Sequence, residues 1–599
     1  MTAHSFYQQK TGSYTGAVQS FKRKIAISAL LRLLAFTAFT VSAYFFFKHW
    51  STGLLLLALL LFAVFLLLVW YALRLKEEKA LLEKLLLINT NEMGILSNEP
   101  NRLDDGSSFA NGKGYAEDLD IFGPRSLFHL LNRCTTAHGR EHLAMLLQQP
   151  LQDPAGIAAR QQAVQQLSGQ HDKRQLLTAH GLLHAEAEGN LHSIAEWLQP
   201  ATDLHKKKWL QVVRWVLPLY TIPSFLYYIA TGNILYVAAG VAAIWLITAF
   251  YAKYIHRQHQ LISKKQSILE QYAGILKTFV TVETGSSPVL KQLQQTAGNA
   301  HSAIAALAKL SSFFDQRLNL LVNIFLNSLA MYDMQCILAL ERWKDQHKDN
   351  FAQWLHTVGD IECLNALACF AFNNPHFTYP KVEQNNTLYV KAEQMAHPLI
   401  PAAECVANDF ESGKSNRLLL VTGSNMSGKT TFLRTLGINL ILAQSGAPVC
   451  AAAFIFTPME ILTSIRVNDS LQEHTSYFMA ELKRLQQIIL RLQQNKPALV
   501  LIDEILRGTN SDDKSHGSEQ FIKQLLQYNC ITLFATHDLT LATLENEYKG
   551  VISNYCFEST IQNNTLHFDY KLQPGVAKNK NASFLMKKMG IVGGERGEW

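Results

Sequence analysis

The sequence is poor in charged residues and lacks paired cysteines. Asp, Glu, Lys and Arg together make up 17% of the 599 residues, which is low for a wholly soluble protein of this size. The eight cysteines form no Cys-x-x-Cys pair and show no metal-ligand spacing. They therefore predict reduced thiols in a cytoplasmic environment and argue against a disulfide framework. We find no internal repeat, so a repeat architecture is not indicated.

The apolar residues are concentrated in four long runs. Gly53–Leu73 contains no charge and is long enough to span a bilayer. Arg32 lies near the start of another run, from where its side chain can reach the interface. Two short loops, Lys48–Thr52 and Thr231–Asn233, join the runs in pairs and predict two helical hairpins with four membrane spans. The four runs are Ile25–Phe47, Gly53–Leu73, Leu210–Ala230 and Ile234–Ala252.

Basic residues flank both hairpins outside their tight loops. Lys22–Lys24 precede the first hairpin, Lys206–Lys208 precede the second, and further lysines and arginines follow each. Because basic loops favour the cytoplasm, both hairpins are expected to enter and leave an inner membrane from its cytoplasmic side. Both termini are then expected in the cytoplasm. The alternatives are buried core helices, least convincing for Gly53–Leu73, and a signal peptide. The missing small-x-small cleavage site argues against the latter.

Residues 421–431 read VTGSNMSGKTT and fit the phosphate-binding pattern Gly-x-x-x-x-Gly-Lys-Ser/Thr. The apolar run Leu418–Val421 precedes this loop and a helix pattern follows it, which is the context that separates a phosphate loop from an ordinary Gly-rich turn. Backbone N–H groups would surround the phosphates of ATP. Lys429 is expected to reach the β- and γ-phosphates, and Thr430 to bind Mg²⁺. The expected binding residues are Gly423, Ser424, Asn425, Met426, Ser427, Gly428, Lys429, Thr430 and Thr431.

Two further apolar runs end in residues suited to phosphoryl chemistry. Ala498–Ile502 is followed by Asp503 and Glu504. A strand-end Asp of this kind holds Mg²⁺, and the adjacent Glu is placed as the general base that activates water. Ile531–Ala535 precedes His537, a candidate contact to the γ-phosphate. A surface carboxylate pair and a structural histidine are the alternatives, but the position of both sites after buried strands favours catalysis.

These motifs resemble those of the MutS family of DNA mismatch-repair ATPases. The phosphate loop, Asp503–Thr509, Phe534–His537 and Ser476–Glu481 each resemble a family motif. Gly123–Leu167 is similar to the start of the family's helical core, or lever, domain. The resemblance covers residues 120–200 and 256–595.

The resemblance implies an α/β ABC-type P-loop ATPase domain at the C-terminus and an all-α core or lever domain, here carrying the two transmembrane hairpins. It also implies ATP and Mg²⁺ as ligands and a homodimer in which Ser476 acts in trans on the ATP of the other subunit. The implied catalytic residues are Glu504, Lys429 and His537, and the implied metal ligands are Thr430 and Asp503.

The sequence also departs from the family. Ser424 and Ser427 stand where the family usually has Pro and Gly, and Leu506 replaces another Gly. Cys405 occupies the position of an aromatic residue that often stacks on adenine. We find no counterpart of the mismatch-reading or connector domains. The second hairpin lies where the family's lever extends toward its DNA clamp.

We predict ATP hydrolysis at a dimer interface, coupled to binding of mismatched DNA at the membrane. The alternative is a conformational switch acting on a membrane partner without DNA. A transport ATPase is a weaker hypothesis because the spans offer few polar residues for a substrate path. The expected segments are a polar, poorly ordered tail (1–24), the first hairpin (25–73), a cytoplasmic helical region (74–208), the second hairpin (209–253), the rest of the core (254–372) and the ATPase domain (373–599).

Overall fold

The computed structural model describes the chain apart from residues 1, 111–113, 184–191, 199–203, 385–386, 414, 467–476, 507–508, 563–564, 579–585, 587–590 and 592–599. It is mostly helical, with a mixed α/β domain in its C-terminal part. The helices are α1 Ala3–His49, α2 Thr52–Leu96, α3 Tyr115–Asp118, α4 Leu127–Leu131, α5 Ala137–Gln148, α6 Pro154–Ser168, α7 His171–Leu183, α8 His192–Leu198, α9 Lys208–Thr231, α10 Leu235–Phe250, α11 Ala252–Ile262, α12 Gln266–Phe279, α13 Pro288–Asp315, α14 Leu320–Ala330, α15 Tyr332–Asn373, α16 Lys429–Gln444, α17 Tyr477–Leu492, α18 Ser511–Leu525 and α19 Leu544–Glu547.

The strands form two sheets. They are β1 Lys381–Val382, β2 Tyr389–Met395, β3 Asn408–Gly413, β4 Leu418–Gly423, β5 Ala453–Phe456, β6 Glu460–Ser464, β7 Ala498–Asp503, β8 Cys530–Thr536, β9 Ile552–Gln562 and β10 Thr565–Pro574. The larger sheet has the order β10-β9-β4-β8-β7-β6, and its neighbours are parallel except for the antiparallel pair β9 and β10. The smaller sheet has the order β1-β5-β2-β3.

The three apolar runs predicted as buried strands are confirmed as β4, β7 and β8. Every residue of these strands is buried, as expected for parallel strands that are covered on both faces. In the helical part, side-chain caps begin several helices. Thr136 accepts a hydrogen bond from the Gly139 N–H at the start of α5, and Asp153 precedes Pro154 at the start of α6.

Helices α1 and α2 form the first predicted hairpin. The two helices have 47 and 45 residues, which makes each about 70 Å long and about twice the thickness of a bilayer core. Apolar side chains in the predicted spans lie on the surface, with Leu33, Leu56 and Leu67 all more than 60% exposed. The hairpin is therefore apolar outside at its closed end, whereas its open end packs against the helical body.

The expectation that the first 24 residues are poorly ordered is wrong. They continue α1, and Tyr7 is buried with its hydroxyl donating to Asn373 Oδ1 at 2.8 Å. Lys10 pairs with Asp172 at 2.5 Å. Aromatic contacts of Phe6 and Tyr7 with Phe372 add to these polar contacts and fix the segment on the helical body.

Helices α9 and α10 form the second predicted hairpin. α9 continues through Pro218 and Pro223. Pro218 has no N–H to donate, so the carbonyl of Arg214 loses its helical partner, and Gln335 Nε2 from α15 donates to it instead at 2.6 Å. Partners of this kind from neighbouring helices are what allow proline inside membrane helices.

The sequence analysis placed the rest of the all-α core at residues 254–372 but did not predict the breaks between its helices. Met331, in the left-handed conformation at φ 53°, separates α14 from α15, and the two helices meet at 82°. By length and composition alone, α1, α2 and α9 could each cross a membrane among the described residues. The number rises from three to five if the bent pairs α10–α11 and α14–α15 each count as one span.

Candidate nucleotide-binding site

The carboxyl ends of three strands meet at one edge of the larger sheet. Gly423 ends β4, Asp503 ends β7, and β8 lies between them in parallel register. His537, directly after β8, is thereby placed between the loop that follows Gly423 and the carboxylate of Glu504. A cavity of about 750 Å³ opens at this edge, within the range typical of small-molecule sites.

The predicted loop residues line this cavity, apart from Gly423 at the end of β4. They are Ser424, Asn425, Met426, Ser427, Gly428, Lys429, Thr430 and Thr431. Asp503, Glu504, His537 and Cys405 also line it. The structure thus brings together the residues that the sequence placed in three separate motifs. Ser476 lies outside the described residues, as do Arg507 and Gly508 of the motif that begins at Asp503.

The loop has the geometry of a phosphate cradle. Gly428 caps α16 at φ 106°, and a Cβ there would lie 3.2 Å from the Tyr570 ring. A Cβ on Gly423 would lie 2.9 Å from the Phe557 carbonyl oxygen, so both positions favour glycine. The Ser427 Oγ is buried and has no hydrogen-bond partner among the described residues. An orphaned hydroxyl beside a helix N-terminus fits a phosphate oxygen as its missing partner.

Lys429 is nearly buried beneath the loop. Its Nζ donates to the carbonyl oxygens of Gly423 at 2.8 Å and Ser424 at 3.0 Å, and lies 3.4 Å from His537 Nε2. The ammonium is thus held at the loop, where it can exchange carbonyl contacts for phosphate oxygens.

Thr430 and Asp503 are already in contact. The Thr430 hydroxyl donates to Asp503 Oδ2 at 2.5 Å. A hydroxyl and a carboxylate at this separation are hard oxygen donors of the kind that Mg²⁺ prefers, beside the place where the phosphates would lie. The residues therefore fit the metal that the sequence predicts.

Glu504 is held in a costly backbone conformation. Its φ is 50°, a left-handed value that a non-glycine residue adopts at a cost and that is most often found at functional sites. Its N–H donates to the Ala535 carbonyl at 2.9 Å, and its Oε1 accepts from Lys514 Nζ at 2.5 Å. Glu481, a buried residue of α17, accepts from the Leu506 N–H at 2.9 Å and fixes the turn that follows.

His537 is placed as a neutral hydrogen-bonding group. Burial lowers the pKa of its imidazole, and the positive charge of Lys429 lowers that pKa further. The ring is therefore uncharged at neutral pH. Its Nε2 can accept from the Lys429 ammonium, and no second positive charge opposes that contact.

Three aromatic residues of the cavity were missed by the sequence analysis, and the first of them is Phe432 of α16. Phe557 lies on β9 and Tyr570 on β10. The ring of Tyr570 stands next to Gly428 and stacks on Phe568 at 5.9 Å, which presents an aromatic face on which a base can stack. Cys405 does line the cavity, as expected, but it offers no such face. The alternation in the FDY segment 568–570 was the only available signal.

A cluster of ion pairs, buried at Asp118 and partly exposed at Asp120, joins this domain to the helical body. Asp118 of α3 is fully buried and accepts from the Ile465 N–H at 3.1 Å, the Arg466 N–H at 2.8 Å and Arg484 Nη2 at 2.5 Å. The carboxylate of Asp120 binds Arg434 of α16 at 2.8 Å and Arg466 at 2.6 Å. We call these residues the Asp118/Asp120 cluster. It connects the helix that begins at the phosphate loop with the core.

A phosphate-binding loop at the carboxyl edge of a parallel sheet defines the class of this domain, that of the phosphate-loop proteins. The comparisons with known proteins narrow the class. Family models described as MutS domain III and MutS domain V match residues 108–371 and 419–590. The chain belongs to the MutS family.

The curated relatives resemble only part of this chain. A "DNA mismatch repair protein MutS" of Clostridium kluyveri is 33% identical over 244 residues, which are 39% of this chain and 27% of the relative. The "MutS protein homolog 4" of Mus musculus is 34% identical over 238 residues, 38% of this chain and 24% of the relative. The "DNA mismatch repair protein MutS" of Listeria monocytogenes is 33% identical over 227 residues, which are 37% of this chain and 26% of the relative. The chain thus spans about a quarter of the length of these relatives.

Proposed function

We propose that the chain is a membrane-anchored, ABC-type ATPase that hydrolyses ATP with Mg²⁺ at the carboxyl edge of β4, β8 and β7. The arrangement at that edge is the observation that carries the proposal. Lys429, the Thr430–Asp503 pair and Glu504 surround one cavity, and each has the chemistry that its place in phosphoryl transfer requires.

The residues divide the work of hydrolysis among themselves. Lys429 and the N–H groups of the loop bind the β- and γ-phosphates. Thr430 and Asp503 hold Mg²⁺, which neutralises phosphate charge when it is bound. Glu504 accepts a proton as water attacks the γ-phosphorus and the bond to the β-phosphate oxygen breaks, releasing ADP and phosphate. Lys514 orients the Glu504 carboxylate, and neutral His537 would donate its ring N–H to a γ-phosphate oxygen.

The site is proposed to be completed by a second subunit. The resemblance of Ser476–Glu481 to a family motif supports a contribution of Ser476 in trans. Closure of such a homodimer would pull on α16 and α17. The Asp118/Asp120 cluster would then transmit the movement to the helical body.

The exposed apolar surfaces of both hairpins support anchoring in the inner membrane with four spans and with both termini and the ATPase domain in the cytoplasm. The spans are apolar on the outside, and apart from Arg32 and Arg214, each near the start of its span, the basic residues lie beyond their ends. In this arrangement the nucleotide site faces the ATP pool. The movement caused by closure of the dimer would pass through the helical body toward the hairpins.

The test is nucleotide binding by the full-length protein in liposomes. Lys429→Ala removes the charge that contacts the phosphates, and we expect Mg-ATP affinity to fall about 10- to 100-fold, as for hydrogen bonds to a charged group of ~1.5–3 kcal/mol. Lys496→Ala, an exposed lysine of the same domain, is the control. Equal affinity in the Lys429→Ala protein would contradict the phosphate-loop assignment.

DNA binding is the second candidate function. The names of the relatives, which include DNA mismatch repair proteins, favour it, whereas the second hairpin at the far end of α13 and α15 favours a switch that acts on a membrane partner without DNA. Retention of linear or mismatched DNA duplex by the ATP-bound protein would support DNA binding. This retention should weaken steeply with salt, because phosphate contacts release counterions. Absence of any ATP-dependent retention would exclude it.

A further inference from the structure

Helix α14 carries a strongly apolar surface that the predicted spans do not account for. No charged residue occurs from Leu318 to Tyr332. Leu320 is 70% exposed, Leu321 79% and Phe325 56%, so large side chains of this short helix face away from the described residues. An apolar surface of this extent on one element marks an interaction site rather than scattered exposed residues.

This helix is attached to the second hairpin. The Thr221 hydroxyl of α9 donates to the carbonyl oxygen of Leu329 at 2.8 Å, and Trp245 Nε1 of α10 donates to Ser328 Oγ at 3.0 Å. Leu329 lies in the last turn of α14, where carbonyls have no helical donor. The hairpin therefore supplies a hydrogen bond that α14 needs, and the apolar surfaces of α9, α10 and α14 are continuous.

The direction of α14 follows from contacts along α9. Just before α9, the His205 N–H donates to Glu341 Oε2 at 3.0 Å. Further along, the Arg214 carbonyl accepts from Gln335 Nε2 at 2.6 Å, and the Thr221 hydroxyl donates to the Leu329 carbonyl. Going along the chain from His205 to Thr221, the contacted residues go back along the chain from Glu341 to Leu329. The start of α15 therefore runs antiparallel to α9. Since α14 lies at 82° to α15, it crosses the hairpin and lies close to the plane of a bilayer that α9 spans.

The depth of α14 suits an in-plane helix. Thr221 lies seven residues beyond Arg214 on α9, or about 10 Å at 1.5 Å per residue. Arg214 belongs at the interface, because a charged side chain reaches toward water. Helices that lie in the membrane plane bury their apolar face to a depth of about 5–10 Å. The 11 residues of α14, about 16 Å, are too few to span the membrane.

The polar groups of α14 are arranged for an apolar environment. Asn327 donates to Asn323 and accepts from the Asp333 N–H at 2.9 Å, and Asn319 caps the helix through the Val322 N–H. Arg317 directly precedes this uncharged segment and Asp333 directly follows it, and the two side chains form an ion pair at 3.3 Å. Charges thus stop where the apolar segment begins.

We propose that α14 is embedded in the cytoplasmic leaflet of the membrane, where its exposed face contacts lipid acyl chains. This inference rests on the proposed membrane anchoring of the second hairpin. Because α14 joins α13 to α15, the two long helices of the core end directly in the bilayer. Their movement would displace an in-plane helix.

The experiment measures the accessibility of nitroxide labels in the full-length protein in phosphatidylcholine–phosphatidylglycerol liposomes. A label at Leu321, and separately at Phe325, is compared with one at Leu226 in α9 and one at the exposed Lys309 of α13. Oxygen, which partitions into lipid, and a water-soluble nickel chelate serve as collision reagents. These positions are exposed, so labelling leaves the core intact.

We expect the ratio of oxygen to nickel collisions at Leu321 and Phe325 to match that at Leu226 and to exceed that at Lys309 several-fold. A ratio like that of Lys309, or low collision rates with both reagents, which would mean that protein covers the helix, would overturn the inference. If Leu226 itself behaves like Lys309, the anchoring of the second hairpin fails as well. The two failures are thereby distinguished.

Discussion

The two hairpins are joined to the helical body in different ways. The first is fixed by buried polar contacts at its base. Glu92 pairs with Arg133, its Oε2 also accepts from Asn373 at 2.8 Å, and Asn89 and Gln175 exchange two hydrogen bonds. The second is joined through a proline-containing helix in which the Arg214 carbonyl accepts from the Gln335 side chain of α15, and it continues into bent helices.

The difference suggests different roles. Burial acts to raise the pKa of Glu92, but the Arg133 guanidinium and the hydrogen bonds from Arg133 and Asn373 outweigh it and hold that pKa below its usual value. A carboxylate kept ionised inside the body is costly to separate from its partner, so we expect the first hairpin to be fixed rigidly to the helical body and to serve as the anchor.

Within α9 and α10 of the second hairpin, the contacts with α14 and α15 described above are single neutral hydrogen bonds, which exchange at low cost. A charged group, the carboxylate of Glu341, lies at the ends of this hairpin, where it accepts from the His205 N–H and the Tyr254 hydroxyl. We therefore expect the second hairpin to move.

The largest effect is expected at the source of the movement. Glu504→Gln removes the general base while keeping the shape of the side chain, and turnover should fall by about 10²- to 10⁴-fold with ATP still bound. Steady-state phosphate release measures this, with Glu519→Gln, a surface residue that pairs with Lys523, as the control. In the ATP-bound Glu504→Gln protein, labels on the second hairpin should change their environment and labels on the first should not. Near-normal hydrolysis would remove Glu504 from its role.

The anchor is broken by Glu92→Ala. Arg133 is then left buried and unpaired, and we expect the free energy of unfolding to fall by about 3–5 kcal/mol. Thermal unfolding of the detergent-solubilised protein measures this. Glu83→Ala on the same helix removes only an exposed pair with Lys79 and should cost less than about 1 kcal/mol. Similar losses in the two variants would show that the base of the first hairpin is not a special attachment.

The link between the two regions is tested by Asp118→Asn. The amide keeps its shape but loses the charge that holds Arg484, and we expect a loss of about 1–3 kcal/mol in unfolding free energy. The ATP-dependent change at the second hairpin should weaken in parallel. Asp172→Asn, at an exposed pair with Lys10, serves as the control. Unchanged stability together with an unchanged response to ATP would exclude the Asp118/Asp120 cluster from the coupling.

The smallest effect is expected at the flexible joint. Gln335→Leu leaves the Arg214 carbonyl without the donor that replaces the missing N–H of Pro218, at a cost of about 1 kcal/mol. The label at Leu226 should become more mobile in continuous-wave spectra. Gln353→Leu, an exposed position on the same helix, should leave them unchanged. Greater mobility in the first hairpin instead would reverse the assignment of the two roles.

The sequence predicted those features whose signal is local. The strands that end at Gly423 and Asp503 and the helices of both hairpins are each encoded by a short continuous pattern, and these elements are confirmed. Their role in ATP hydrolysis and their place in a membrane stay predictions. Phosphate binding by the loop at Gly423–Thr431 rests on an equally local pattern and also stays a prediction. Tyr570, Asp118 and the break at Met331 could not be predicted, because each acquires its meaning from residues distant in the chain. A polar segment such as residues 3–24 also gives no local sign that it packs against α7 and α15.

The central claim is that ATP bound at the Gly423–Thr431 loop moves the second hairpin relative to the first. Pulsed electron paramagnetic resonance measures it directly, using full-length Glu504→Gln protein in liposomes with genetically encoded labels at Leu33 and Leu226. We predict that adding Mg-ATP shifts the distance distribution between these labels, and that Lys429→Ala abolishes the shift. An identical distribution with and without ATP, in protein shown to bind it, would contradict the account.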